Sequence, residues 1–472
     1  MSARLAHHLE TSKPGYVCRR LATVHDLTEI HAHNPRRYPH LLSSVSRGTP
    51  RARYDILFAF PGNSLSLEVN HQLCRNGQPS GQGDFLQAFD REWQSLSLIG
   101  ENLDSVDNDA PPFSGGWFIF LGYELVNQIE SSVNCLNSDT GLPIASATRF
   151  PAAIINDHAR QQLLLVCEND RADELLPQLE ADATRRTTSD ALARIAAVCH
   201  EEDPRRFIEK VQRVQEYINA GDVFQVNLSR LWRIILSEPA RSFELYRRLC
   251  AANPAPFAGM MSLGRDRFII SSSPERLMEI RGGQVSTRPI AGTYPRSKDP
   301  LQDKILSEDL LRHPKERAEH VMLIDLERND LGRVCCAGSI QVKEFLQLES
   351  YRHVHHIVSE VRGKLRQNIT PAQAIRALFP GGTITGCPKV RCMQIIAELE
   401  NTPRAAYTGS IGYINRDGSL DLNILIRTII QNGRELTLRA GAGIVADSVP
   451  ERELAETHAK AKGLLTALGV AA

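Results

Sequence analysis

The stretch from Thr408 to Ala440 constrains this chain more than any other. It reads TGSIGYI, a turn at Arg416-Asp417-Gly418, LDLNILIRTII, a turn at Asn432-Gly433, then RELTLRA. Apolar strand-forming runs joined by two tight Gly-containing turns predict neighbouring antiparallel strands. Upstream, Asp203-Pro204 offers an N-cap followed by proline at the first helical position. Phe207, Val211, Val214 and Ile218 then recur at helical spacing until Gly221, which predicts an amphipathic helix. Phe224, Val226 and Leu228 alternate with Gln225, Asn227 and Ser229, the pattern of a strand with one polar face. Further helices are expected over Pro314 to Leu326, Pro388 to Leu399 and Pro450 to Leu465. Helices and antiparallel strands mixed without a βαβ beat make the class α+β.

A chain of 472 residues with a hydrophobic fraction of 42% and a charged fraction of 23% is that of an ordinary globular protein. Lys+Arg 55 against Asp+Glu 55 leaves formal net charge +0, so no global field draws nucleic acid or an acidic membrane. The ten cysteines form no C-x-x-C pair, which removes zinc-ribbon and disulfide-framework readings. The start MSARLAHHLETSKPGY has no apolar h-region, and no apolar run approaches the ~20 residues a membrane span needs. The expectation is a soluble, cytoplasmic protein with no membrane and no nucleic-acid partner. Polar, turn-rich punctuation at Glu101 to Gly116 and at Ala181 to Pro204 suggests a division into 1–190 and 200–470, the second stretch being the better boundary.

Several residues carry potential chemistry. Glu453, Glu456 and Lys460 fall on one face of the last helix, which is either a solvated charged face or a cation site beside an anionic substrate. Gly441 and Gly443 just before that helix are either a turn or backbone donors for an anion. The loop FPGGTITGCPKV holds Gly381, Gly382 and Gly386, but Val390 follows Lys389 where a phosphate loop requires a hydroxyl, so no nucleoside triphosphate site is read. Arg427, inside a strand of Leu, Ile and Thr, needs an anion from the protein or from a ligand. Glu275 follows the predicted strand FIISSS, Gly292-Thr293 is read as a tight turn, and Glu319 opens a helix whose Val321, Met322, Leu323 and Ile324 go inward. His355-His356 are core-edge histidines or site groups.

The ordered segments SSSPER, RPIAGT, KERAEHVMLIDLERNDLGR, HHIVSE, GGTITGCPKVR, GSIGYI and AGAGIVADSVPERELAET closely resemble the chorismate-utilising enzyme family over about residues 200 to 465. RYDILF and GGWFIFLGYEL resemble that family's N-terminal region. The resemblance implies antiparallel β-sheets stacked as a sandwich-like core surrounded by helices. It implies chorismate as substrate and Mg²⁺ as cofactor, with Glu319 and Glu456 as metal ligands and Glu453 beside them. Arg427, Tyr407, Lys460 and the backbone of Gly441, Ala442 and Gly443 match contacts to the substrate carboxylates and pyruvyl group. Glu275 matches a general acid, His356 a histidine beside the ring, and Thr293 and Thr383 polar lining.

Gln225 stands where water-using members of the family carry a lysine base, and an amide cannot act as one. Ammonia from a separate glutaminase (glutamine amidotransferase) subunit is therefore the implied nucleophile. QVNL at Gln225 to Leu228, RYDIL at Arg53 to Leu57 and the NILIRT stretch resemble members making a 4-amino product. Ala291 in PIAGT resembles members making a 2-amino product, because the lysine nucleophile of well-known 4-amino members is absent. Ser43 in PHLLSSVSRG replaces the carboxylate of feedback-regulated members. A non-catalytic chorismate-binding subunit is the remaining reading, opposed by the retention of Glu275, Glu319, Glu453 and Glu456.

Overall fold

The computed structural model describes residues 9–22, 25–46, 53–98, 109–137, 140–185, 197–264, 266–351 and 354–470. Of the two punctuation stretches, residues 101–108 and 186–196 lie outside them. Among the described residues the strands build two antiparallel sheets, one of thirteen strands and one of twelve. Alternating side chains decide the layering. Phe58, Phe118, Phe150, Ile269, Ile411 and Tyr413 fill the space between the sheets, where Phe58 meets Phe118 edge-on at 5.1 Å. The opposite face of the first sheet, with Trp232, Ile429 and Leu438, packs on Leu245, Leu249, Ala461 and Leu464 of the helices Ser242–Ala252 and Pro450–Ala467. The opposite face of the second sheet packs on helices Phe85–Leu96, Pro314–Gly332 and Pro371–Leu378. The result is the expected α+β sandwich clad in helices.

Both halves of the chain enter both sheets. Strand His40–Ser43 pairs with Phe257–Ser262 in the first, and Gly116–Leu121 pairs with Ser410–Asn415 in the second. No helix among the described residues is long and apolar enough to cross a membrane.

The meander departs from its reading in one informative way. LDLNILIRTII is two strands, Leu420–Asn423 in the second sheet and Thr428–Asn432 in the first. Ile424 to Arg427 crosses between them, and Arg427 takes a left-handed φ of 54°, unusual for a residue with a long side chain. Apolar composition alone does not reveal a strand that changes sheets, because both segments are buried. Three smaller corrections belong here. Phe224 is 68% exposed and precedes strand Gln225–Leu236, so of the three alternating apolar residues read there only Val226 and Leu228 are buried in the strand. Val321 is exposed, whereas Leu323 and Ile324 do point inward. Gly292, with φ 83°, sits at a bulge inside strand Ile290–Pro295 rather than in a tight turn.

A buried ion network ties the site-bearing strands together. Glu400, at the end of helix Lys389–Glu400, accepts from Arg404 Nη2 at 2.6 Å and Arg439 Nη1 at 3.3 Å. It also accepts from the backbone N–H and the hydroxyl of Ser229, each at 2.9 Å. All three charged side chains are 4% exposed or less. Removing the carboxylate strands two guanidiniums, so Glu400→Ala should cost about 3–5 kcal/mol, read as a lowered urea midpoint.

Candidate functional site

The site lies where strands Gln225–Leu236 and Glu435–Ile444 run side by side, with Asn227 opposite Gly443 and Ser229 opposite Gly441. The glycines are therefore inside a strand, not in a turn at the helix N-terminus. Their contribution is space. A Cβ on Gly441 would lie 2.5 Å from Leu228 O and 2.7 Å from the Tyr407 hydroxyl, and one on Gly443 would lie 2.4 Å from Gln225 Nε2. Ala442 points to the other face, into the core with Phe207 and Met393, so only its backbone borders the site.

Around this floor the expected residues converge. Gln225 Nε2 donates to Glu319 Oε1 at 2.7 Å. Lys460 Nζ donates to Gly441 O at 2.9 Å and pairs with Glu456 Oε1 at 2.6 Å. Thr293 Oγ1 lies 2.7 Å from His356 Nδ1, on neighbouring strands. Asn227 Nδ2 reaches Thr383 O at 3.4 Å, which brings the Gly382–Ile384 turn alongside. Lys389 is committed elsewhere, to Asp330 and Leu378 O.

Electrostatics mark the crevice as dry and short of partners. Burial pushes the Glu275 carboxyl up to about 7, opposed in part by the Thr383 hydroxyl. Burial, then the Arg427 charge, lowers His356 to about 3, so its imidazole is neutral at physiological pH. Burial raises Tyr407 to about 12. Arg427 is itself shifted down by burial, and among the described residues no hydrogen bond or ion pair ends on its guanidinium. Among the described residues, four buried polar atoms here have no partner at hydrogen-bond distance: Gln225 Oε1, Asn227 Oδ1, Glu275 Oε1 and Thr383 Oγ1, the last two being near each other but not bonded. Orphaned buried groups are costly unless something else satisfies them.

On one side stand four carboxylates, Glu316 and Glu319 from helix Pro314–Gly332 and Glu453 and Glu456 from helix Pro450–Ala467. Burial, then mutual repulsion, raises Glu319 (neighbours Glu316 and Glu456); Glu453 is raised by burial and by Glu456. Burial likewise raises Glu316, against the pull of His313 and Lys315. Surplus negative charge on hard oxygen donors suits a divalent cation, although among the described residues no three such groups yet converge on one point. Glu316 escaped the sequence reading, yet its i, i+3 spacing to Glu319 repeats that of Glu453 and Glu456. Asn227 was equally legible, two residues along the strand from Gln225 and so on the same face. Glu327 was not: it accepts from Thr287 Oγ1 at 2.9 Å and Gly382 N at 3.3 Å, a contact made only by the fold. Ser43 borders a separate cavity of about 330 Å³ between the sheets, remote in the fold from Gly441.

The chain matches the chorismate binding enzyme family model over residues 67–466 and belongs to that family. It is 42% identical over 444 residues to anthranilate synthase component 1 of Thermus thermophilus, covering 91% of this chain and 92% of that protein. It is 39% identical over 447 residues to aminodeoxychorismate synthase component 1 of Bacillus subtilis, covering 92% of each. The crystal structure of anthranilate synthase component I from Streptococcus pneumoniae superposes with a TM-score of 0.77 at 31% identity, over 89% of this chain and 93% of that one.

Because the folded-state value of Glu275 is raised, stability is lost as pH rises from the ordinary carboxyl range, 4.5, through about 7. Glu275→Gln should remove that loss. The variant should be more stable than the parent at pH 8, by up to about 3 kcal/mol, and similar at pH 4.5, as thermal melts at the two pH values would show.

Proposed function

We propose that the chain aminates chorismate with ammonia supplied by a separate glutaminase subunit, giving 4-amino-4-deoxychorismate as an aminodeoxychorismate synthase component I. The observation carrying this reading is the Gln225 amide held on Glu319. The position that would need a base for water holds a neutral amide instead, leaving a nucleophile that needs no base. Asn227, whose Oδ1 is an unpartnered acceptor in the crevice, can receive an N–H from such a nucleophile. The QVNL segment, and the relative bearing the aminodeoxychorismate synthase name, support the 4-amino product.

The residues divide the work as follows. Arg427, without a protein anion, pairs one substrate carboxylate, assisted by the Tyr407 hydroxyl, which burial keeps protonated. Lys460 and the open backbone of Gly441 to Gly443 line the same side. Glu316, Glu319, Glu453 and Glu456 would hold Mg²⁺, which when bound neutralises and fixes the other carboxylate. Glu275, protonated near neutrality, gives its proton to the departing ring hydroxyl. The C–N bond forms, the hydroxyl leaves as water, and the incoming nitrogen sheds one proton. Thr293 orients His356, and Thr383 lines the pocket near Glu275.

A second reading, formation of anthranilate, has two observations behind it. Ala291, buried beside the Gly292 bulge, offers no nucleophile, and His356, neutral and next to Thr293, can accept the ring proton lost with pyruvate. The relative from Thermus thermophilus carries the corresponding name. Incubating the protein with chorismate, a magnesium salt and ammonium distinguishes the two. 4-Aminobenzoate appearing only after addition of an aminodeoxychorismate lyase is the expected result; anthranilate without lyase gives the second reading, and no amino product from either arm refutes both. Glu319→Ala and Glu456→Ala should each lower turnover at least about a hundredfold with unchanged circular dichroism, and retention of activity in either would refute its place in the cation site.

A further inference from the structure

The turn Gly382–Ile384 brings Thr383 to the crevice, and protein side chains hold its backbone in place. Asn227 Nδ2 donates to Thr383 O at 3.4 Å, Arg404 Nη1 to Ile384 O at 3.2 Å, and Thr385 Oγ1 to Gly381 O at 2.9 Å. Helix Pro314–Gly332 supplies a further hold. The Gly382 N–H donates to Glu327 Oε1 at 3.3 Å, and the other carboxylate oxygen accepts from Thr287 Oγ1 at 2.9 Å. One carboxylate thus bridges a strand of the second sheet to the turn. The approach leaves no slack: a Cβ on Gly382 would lie 2.6 Å from Leu326 Cδ2 and 3.2 Å from Glu327 Oε1, so glycine is what lets the turn pack this close to the helix.

Glu327 has no share in the cation or substrate contacts assigned above. It follows Glu319 by eight residues, about 12 Å along the helix axis, and both its oxygens are spent on protein donors. It is 5% exposed, and a carboxylate buried so deeply is costly where a neutral side chain could fill the space. The charged groups facing it are Asp330 from its own helix and Lys389 from helix Lys389–Glu400. Burial, then the Asp330 charge, raises its carboxyl, while Lys389 opposes. The Glu327 charge also reaches Glu275, where it adds to burial in disfavouring the ionised form; the Lys460 charge works the other way. One side chain therefore fixes the turn beside Glu275 and shapes the field that Glu275 meets.

We propose that Glu327 is a positioning residue for the amination: by bridging Thr287 and the Gly382 N–H it holds the Gly382–Ile384 turn against helix Pro314–Gly332, so that Thr383 stands beside the acid Glu275 at the crevice. This rests on the amination reading above, through the role of Glu275 as proton donor. It gives work to a buried carboxylate that touches neither substrate nor cation.

The test assays each variant with chorismate, a magnesium salt and ammonium, and follows amide hydrogen exchange over residues 379–386. Glu327→Gln keeps both hydrogen bonds, its carbonyl accepting from the Gly382 N–H and its amide donating to Thr287 Oγ1, and removes only the charge. Glu327→Ala removes both bonds, and Thr287→Val removes one. In Glu327→Ala, exchange at Gly382 should be at least about tenfold faster and kcat at least about tenfold lower, with KM for chorismate within about threefold of the parent. In Glu327→Gln, exchange should match the parent and kcat at its own pH optimum should lie within about threefold. The alkaline limb of its kcat profile should move to lower pH, because Glu275 ionises sooner without the neighbouring charge, a shift that a merely structural residue would not produce. Should circular dichroism show Glu327→Ala unfolded, Thr287→Val takes its place, with exchange about threefold faster and kcat about threefold lower. Parent-like exchange in the variant lacking the bond, parent-like kcat despite faster exchange, or an unmoved alkaline limb in Glu327→Gln would overturn the positioning role. A parent that forms no aminated product from chorismate, with the exchange difference intact, would instead overturn the amination reading.

Discussion

The carboxylate of Glu400, shared between Arg404 and Arg439, is the contact on which the rest of the site depends. It joins the end of helix Lys389–Glu400, strand Gln225–Leu236 through Ser229, strand Glu435–Ile444 through Arg439, and the loop that leads to Tyr407. Burial alone would push this carboxyl up; the two guanidiniums reverse the sign and hold it below the ordinary range. Arg404 then spends its remaining donors on Ile384 O, Thr408 Oγ1 and Asn227 O, which fixes the Gly382–Ile384 turn against the floor strand. The N-terminal half joins through Glu124, whose carboxylate accepts from the backbone N–H of Arg404 at 2.7 Å and of Ala405 at 3.1 Å. Tyr407 is thus placed from both halves of the chain.

The crevice next to this network is less well satisfied. Glu400 and Arg404 are paired several times over, while among the described residues Glu275, Thr383, Asn227 and Gln225 keep unpartnered polar atoms and Arg427 an unpaired guanidinium. The stable part supplies rigidity, and the unpaired part supplies binding capacity for a polar, doubly anionic ligand. The same burial that makes those groups costly also tunes them. It raises the Glu275 carboxyl and lowers the His356 imidazole, so one dry environment shifts the two groups in opposite directions, each toward its neutral form.

Position in the fold matters as much as environment. Arg427 lies where the chain leaves one sheet for the other, with left-handed backbone at a residue that disfavours it. A regular strand would have sent its side chain to one of the two sheet faces; the crossing turns it toward Tyr407, His356 and Glu456 instead.

Much of this was legible in the residues. The turns at Asp417-Gly418 and Asn432-Gly433, the proline-started helices and the period-two runs follow from local backbone preferences, and the ordered motifs marked the family and named residues that the fold brings to one crevice. Local preference does not carry information about which sheet a buried strand joins, so Leu420 to Asn432 read as one strand and Gly292 as a turn. Nor does it show pairing between distant carboxylates and amides. The bond from Gln225 to Glu319 and the bridge of Glu327 to Gly382 each join segments tens of residues apart. The sequence by itself determined the elements and the chemical identity of the donors, because propensity and side-chain chemistry are local. Only the tertiary structure decided which donors were satisfied and which were left open for a ligand, because desolvation and pairing depend on what the fold packs around each group.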